Sequence, residues 1–194
     1  VVTGDKFETA LTISKSANIV SEKEEIVKLK KANEMDNLKE FFEDIQRTNG
    51  REYSLVVDMS SFNMKYFDEY KDLKRIFMRA KGVVCARSSP LVKGQLVRLL
   101  KGENKCVLGI GDGENDVNMI SEANIGVGVF GKEGTQATKV SDFAIGEFKI
   151  LWKLVLFYGR INYMRTSNYV ILYLFKNIVL VGIQFMFGFF SLAS

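Results

Sequence analysis

Short apolar runs alternate along the chain with stretches of helical periodicity. Residues 53–57, 83–86, 107–110 and 125–129 read as buried strands, residues 143–145 as a further short one, and residues 1–2 as the end of another. Between them apolar residues recur three or four apart. Residues 8–20 predict a helix with Ala10, Leu11, Ile13, Ala17 and Val20 inward. Residues 67–78, 91–101 and 116–123 predict three more, and Pro90 suits a first helical turn. Residues 21–50 are charged and weakly periodic. They predict peripheral helices packed through Ile26, Leu29, Leu38, Phe41, Phe42 and Ile45, with a turn at Asn49-Gly50. Such alternation predicts an α/β fold in which one parallel sheet is covered on both faces. Ligands of such sheets bind beyond the carboxyl ends of the strands.

After Lys149 the pattern changes. Residues 150–168 are amphipathic and carry Lys153, Arg160 and Arg165. From Tyr169 the chain is almost wholly apolar, interrupted by Lys176, Asn177 and Gln184. A helix of roughly 25 residues rising about 1.5 Å each spans a hydrocarbon layer of about 30 Å. Apolar residues continue around the whole helix, which favours a membrane span over a buried core helix. The preceding basic residues predict that residues 1–168 are cytoplasmic and residues 169–194 lie within the membrane. Two domains are therefore expected, residues 1–149 and residues 150–194.

Composition narrows the chemistry. The net charge of +4 is too small to argue for nucleic acid. With no histidine in the chain, His-based catalysis and His-ligated metals are excluded within it. Cys85 and Cys106 flank predicted strands without metal-ligand spacing, so buried reduced thiols are expected. The chain opens Val-Val-Thr-Gly-Asp and closes in an apolar run. Both ends read as cut from a longer protein.

Three segments at predicted strand ends carry candidate chemistry. In residues 107–116 an apolar run enters Gly111-Asp112-Gly113-Glu114-Asn115-Asp116. Asp112 and Asp116 stand four apart, and a helix starting between them would turn both carboxylates toward one ion. Hard oxygen ligands at a strand end suit Mg²⁺, which usually accompanies phosphate. A Gly-Asp turn with an aspartate helix cap is the plainer reading of this segment alone. Lys93, after Pro90, would bring a fixed positive charge, and Asn115 an amide, to a phosphoryl oxygen. Thr3 with the amides of Gly4 and Asp5 forms a cradle ahead of a helix. Together these groups neutralise and position charge, which is what phosphoryl transfer mainly requires. No nucleophile is evident among them.

The segments TGDKFETA, CARSSPLVKG, GDGENDVNMI, GVGVFGKEGTQA, SDFAI and YLFKNIVL, in that order, resemble the type-IV P-type ATPases, the phospholipid flippases. GDGEND alone would mark only the wider haloacid-dehalogenase-like group. TGDK with ETA, and FKNI within the span, point to the flippase branch. The resemblance implies a haloacid-dehalogenase-like, Rossmann-like sheet, the C-terminal part of a phosphorylation domain, followed by a stalk and fifth membrane helix. It implies that Thr3, Gly4, Asp5 and Arg87 approach the nucleotide or phosphoryl group and that Lys93 and Asn115 hold the latter. By the same resemblance Asp112 and Asp116 serve Mg²⁺, ATP is the substrate, and the nucleophilic Asp of a DKTGT motif lies upstream of residue 1. Lys176 and Asn177 would line the lipid pathway. The partners implied are a phospholipid and a two-span accessory β-subunit. Glu114, Gly94, Phe130 and Lys132 depart from the family pattern. A cation-transporting P-type ATPase would be expected to place carboxylates in its fifth span, and no Asp or Glu follows Glu147. A non-pumping flippase-like regulatory module, for example one fused to a guanylyl cyclase, is the other alternative.

Overall fold

The computed structural model describes residues 1–21, 24–30, 35–48, 51–131 and 135–192. The chain divides into two compact units, Val1–Ala144 and Ile145–Ser194. The expected turn at Asn49-Gly50, and Lys132, lie outside the described residues.

In the first unit β1 (Glu25–Leu29), β2 (Tyr53–Asp58) and β3 (Gly82–Ala86) form a parallel sheet in that order. The opening residues extend it. Cys85 N–H donates to the Val1 carbonyl at 2.8 Å, and Thr3 N–H donates to the Cys85 carbonyl at 2.9 Å. Side chains alternate strictly between the two faces. Tyr53, Leu55 and Val57 of β2 join Val27, Leu29 and Cys85 on one side. There they meet Phe41 of α2 (Met35–Arg47), Phe67 of α3 (Tyr66–Glu69), Leu73 and Phe77 of α4 (Lys71–Arg79), and Leu96 of α5 (Pro90–Gly102). Val56, Val84 and Ala86 face the other way, onto Phe7 and Ala10 of α1 (Phe7–Ser16). The sheet is thus covered on both faces, as the alternation of elements predicted.

A second sheet holds β4 (Leu108–Gly111), β5 (Ile125–Val129) and β6 (Phe143–Ile145) in that order, with β4 and β5 parallel. Between them run a 3₁₀ turn (Glu114–Asp116), α6 (Val117–Glu122) and α7 (Gln136–Val140). One continuous sheet was expected. Instead β4 lies at the edge of its own sheet, and the Val1–Thr3 segment lies at the edge of the first.

Other expectations change locally. Residues 25–29 form a strand, not a peripheral helix, because both sides of it are covered: Val27 and Leu29 pack on one face and Ile26 on the other. The first helix stops at Ser16, where Asn18 takes a left-handed φ of 54° and ends the helix. Val20 is buried beyond that end, whereas Ile13 is 51 % exposed and Ala17 is exposed. The helix expected over residues 67–78 breaks at Tyr70, whose extended backbone separates α3 from α4. Cys85 is buried as expected, but Cys106 is exposed.

The second unit is helical. Phe148–Ser191 is long and apolar enough to cross a membrane. It includes a π-helical stretch, Lys153–Tyr158, ahead of α8 (Gly159–Leu192). The 34 residues of α8 extend about 51 Å at ~1.5 Å each. Its large apolar side chains are exposed all round, Phe175, Phe185 and Phe189 among them, the pattern of a helix facing hydrocarbon.

Two outcomes follow from this packing. Leu55→Ala, at a fully buried position, is expected to lower the unfolding free energy by about 2–5 kcal/mol. Ile13→Ala should change it by no more than about 0.5 kcal/mol, and denaturant titration of the two variants in detergent measures the contrast. Burial pushes the Cys85 thiol up to about 11, so it stays protonated at about pH 8.5, near the ordinary thiol value. Alkylation of the folded protein at that pH should therefore modify Cys106 alone. Cys85 should react only after denaturation, as mass spectrometry of the peptides would report.

Candidate functional site

The carboxyl ends of the strands gather most of the sequence-predicted polar residues of the first unit. After β3 the backbone turns sharply, with Arg87 in the left-handed region at φ 51°. That conformation disfavours a side chain with a Cβ. Two hydrogen bonds to the opening segment hold it there. Arg87 N–H donates to the Asp5 carbonyl at 3.0 Å, and Ser88 N–H donates to the Thr3 carbonyl at 2.9 Å. Thr3, Gly4, Asp5 and Arg87 thereby belong to one stitched loop pair. Thr3 Oγ1 donates to Asp5 Oδ2 at 2.8 Å and accepts from Asp5 N–H at 3.2 Å, closing the turn on itself.

Asp58 is a site residue that the sequence reading missed. It ends β2 opposite Ala86 and is 8 % exposed. Its Oδ1 accepts from Ser60 N–H at 3.0 Å and from Ser60 Oγ at 2.6 Å. Its Oδ2 lies 3.4 Å from Arg87 Nη1. Asp58 therefore holds the guanidinium at the strand end. The available signal was a carboxylate directly after the apolar run Leu55-Val56-Val57, the same kind of signal that drew attention to Asp112.

Ser89 caps α5, accepting from Val92 N–H, and Pro90 begins the helix as its position suggested. One turn on, the Lys93 side chain is only 8 % exposed and that of Asp116 15 %. Lys93 Nζ donates to Asp116 Oδ1 at 2.8 Å. A buried ammonium is tolerated only with such a partner. One glycine makes the approach possible. A Cβ on Gly111 would sit 2.3 Å from the Asp116 Cβ, so only glycine lets Asp116 fold back over the end of β4. A Cβ on Gly94 would lie 3.4 Å from the Asn118 Cβ, where α6 already crosses α5 closely. On the outer side Arg98 pairs with Glu122, and Lys101 Nζ donates to the Glu122 carbonyl at 2.8 Å. The hydrogen bond from Arg98 holds the Glu122 carboxyl below its usual value.

Asp112 is exposed and lies against Gly131, whose added Cβ would stand 3.2 Å from Asp112 Oδ2. Asn115 and Glu114 are exposed in the 3₁₀ turn, so Glu114 faces solvent. Among the described residues no three Asp, Glu or Cys side chains converge to form a protein-only metal cage. Two carboxylates at a strand end nevertheless fit Mg²⁺, which keeps several waters and completes its shell with phosphate oxygens. Lys176 and Asn177 stand in the exposed middle of α8, in the second unit.

A family model for the C-terminal region of phospholipid-translocating P-type ATPases matches residues 138–194. Over 97 % of its length the chain is 36 % identical to the phospholipid-transporting ATPase DRS2 of Saccharomyces cerevisiae. Over 98 % it is 33 % identical to the human phospholipid-transporting ATPase VA and 35 % identical to the human phospholipid-transporting ATPase IH. It spans 15 %, 15 % and 19 % of the lengths of these three relatives, respectively.

The buried pair has a measurable signature. Lys93→Met or Asp116→Asn alone is expected to cost about 3 kcal/mol, because each leaves the other group buried without its partner. The double variant should recover much of that loss. A double-mutant cycle on thermal or denaturant unfolding gives the coupling directly.

Proposed function

Because the chain belongs to the type-IV P-type ATPases, we propose that it supplies part of the phosphorylation domain and the fifth membrane helix of an ATP-driven phospholipid pump. In this reading the first unit is haloacid-dehalogenase-like. The edges of β4 and of the Val1–Thr3 segment then flank a further parallel strand, supplied by chain upstream of residue 1 and ending in the nucleophilic Asp. Such a strand would pair both of these edges. The observation that carries the reading is the pairing of buried Lys93 with Asp116 beside a glycine-bounded turn at the end of a strand.

Each residue then has a task set by its chemistry. Thr3, Gly4, Asp5 and Arg87, stitched together after β3, approach the nucleotide or phosphoryl group, with Arg87 steadied by Asp58. Lys93 and Asn115 hold the phosphoryl oxygens. Lys93 cancels charge from a desolvated position, where its electrostatic effect is strongest. Asp116 fixes the ammonium through Oδ1, and with Asp112 it would hold Mg²⁺. That ion, when bound, neutralises phosphate charge. ATP phosphorylates the upstream Asp. Lipid from the exoplasmic or luminal leaflet then triggers hydrolysis of the aspartyl phosphate and passes to the cytosolic leaflet along a path that includes Lys176 and Asn177. An intramembrane lysine is costly enough to imply a function of this kind. An accessory β-subunit with two spans completes the assembly. The absence of Asp or Glu after Glu147 supports a lipid substrate over a cation for this helix.

In the full-length protein, labelled ATP is expected to yield an acid-stable phosphoenzyme whose decay accelerates on adding phospholipid. Asp112→Asn should lower phosphoenzyme formation by at least about 100-fold, the scale of losing one electrostatic contributor. Lys176→Ala should form phosphoenzyme but lose the acceleration by lipid. Failure of the unmodified protein to form a phosphoenzyme would overturn the reading.

A further inference from the structure

Six residues between 169 and 191 carry polar side-chain atoms: Tyr169, Tyr173, Lys176, Asn177, Gln184 and Ser191. They lie on one uninterrupted helix, α8. At about 100° per residue, all six fall within an arc of about 100°. The Tyr169 and Tyr173 rings stack along it, with centroids 6.3 Å apart. The opposite side presents Ile171, Phe175, Ile178, Gly182, Met186 and Phe189, with no polar side-chain atom among them.

The arc also has a length. From Tyr169 to Ser191 it rises about 33 Å at ~1.5 Å per residue, close to the ~30 Å hydrocarbon thickness. Lys176 stands about 10 Å along it, Gln184 about 12 Å further, and Ser191 about 10 Å beyond that. Asn, Gln and Ser side chains can also hydrogen-bond one membrane helix to another. Here the groups recur at successive depths on one side, with Leu180 and Phe187 between the levels on the same arc.

Charge indicates the occupant. The arc holds one fixed charge, the Lys176 ammonium, and residues 148–194 contain no carboxylate. The helix therefore presents a cation and brings no carboxylate of its own, which suits the phosphate of a lipid. Amide side chains flank the cation on the same arc. Asn177 and Gln184 can each donate to phosphate oxygens and accept from a headgroup amine or hydroxyl.

We propose that a glycerophospholipid headgroup crosses the membrane along this single polar arc, and that Gln184 is a further headgroup-contacting residue at the level beyond Lys176 and Asn177. The inference rests on the lipid-pump reading and extends it to a residue which that reading leaves unassigned. Gln184 donates to the phosphate after the headgroup leaves, or before it reaches, the Lys176 level. The apolar back of α8 plays no part in headgroup contact.

The full-length protein in detergent micelles tests this, using phosphatidylserine, phosphatidylethanolamine and phosphatidylcholine as separate probes. The readout is the lipid concentration giving half-maximal acceleration of phosphoenzyme decay, normalised to the phosphoenzyme present. With the most effective of the three lipids, Gln184→Leu should raise that concentration about tenfold, as expected for losing a hydrogen bond to a charged group. Gln184→Asn should recover part of the loss, and Phe175→Leu on the apolar back should match the unmodified protein. An unchanged half-maximal concentration in Gln184→Leu would overturn the inference while leaving the pump reading intact. Equal shifts in Gln184→Leu and Phe175→Leu would also overturn it, since they would mark helix packing. If no phospholipid accelerates decay in the unmodified protein, the pump reading itself fails and the inference with it.

Discussion

Lys93 Nζ and Asp116 Oδ1 meet at 2.8 Å with both side chains largely removed from water. An unpaired ammonium in that position would be expensive, and so would an unpaired carboxylate. The pair therefore ties α5, whose Leu96 packs on the first sheet, to the turn that follows β4 of the second. Around it the chain is built to permit contact. Glycine at 111 admits Asp116 over the strand end, where a Cβ would collide with the Asp116 side chain. The outer ion pair of Arg98 with Glu122 braces the same two helices, but from an exposed position where such pairs contribute little.

The same strand ends are held from the other side by backbone hydrogen bonds. The left-handed turn at Arg87 persists because Thr3 and Asp5 accept from the amides that follow β3. Asp58 adds a carboxylate that keeps the Arg87 guanidinium near the strand end. Rigidity of this kind suits a site that works by positioning charge, since groups held in advance need no reorganisation when charge develops.

The second unit is governed by a different constraint. α8 exposes phenylalanines all round and carries one lysine near its middle, and it is long and apolar enough to cross a membrane. From Tyr169 to Ser191 its polar side chains fall within one arc and apolar ones cover the rest, so this stretch suits a hydrocarbon surrounding. The π-helical stretch Lys153–Tyr158 lies at its entrance, and such stretches often accompany functional sites.

Much of this was legible along the chain. Val56 and Val84 are apolar in unbroken runs because both faces of their sheet are covered, and a period-independent run signals such strands. Pro90 announced the start of α5, and residues 169–194 announced a span, because a fixed backbone angle and membrane length are local properties. Elsewhere contacts distant in sequence decided. Residues 25–29 became a strand because β2 offered a partner, α1 ended at Ser16 while Val20 was buried by tertiary packing, and Tyr70 split a helix that periodicity had joined. Asp58 joined the site only because β2 and β3 end side by side. The order of elements, the charged groups and the membrane span follow from residue type and spacing. Which groups are desolvated, which carboxylate meets Lys93, and which loop accepts a left-handed arginine depend on long-range neighbours, because burial and hydrogen bonding exist only once distant segments meet.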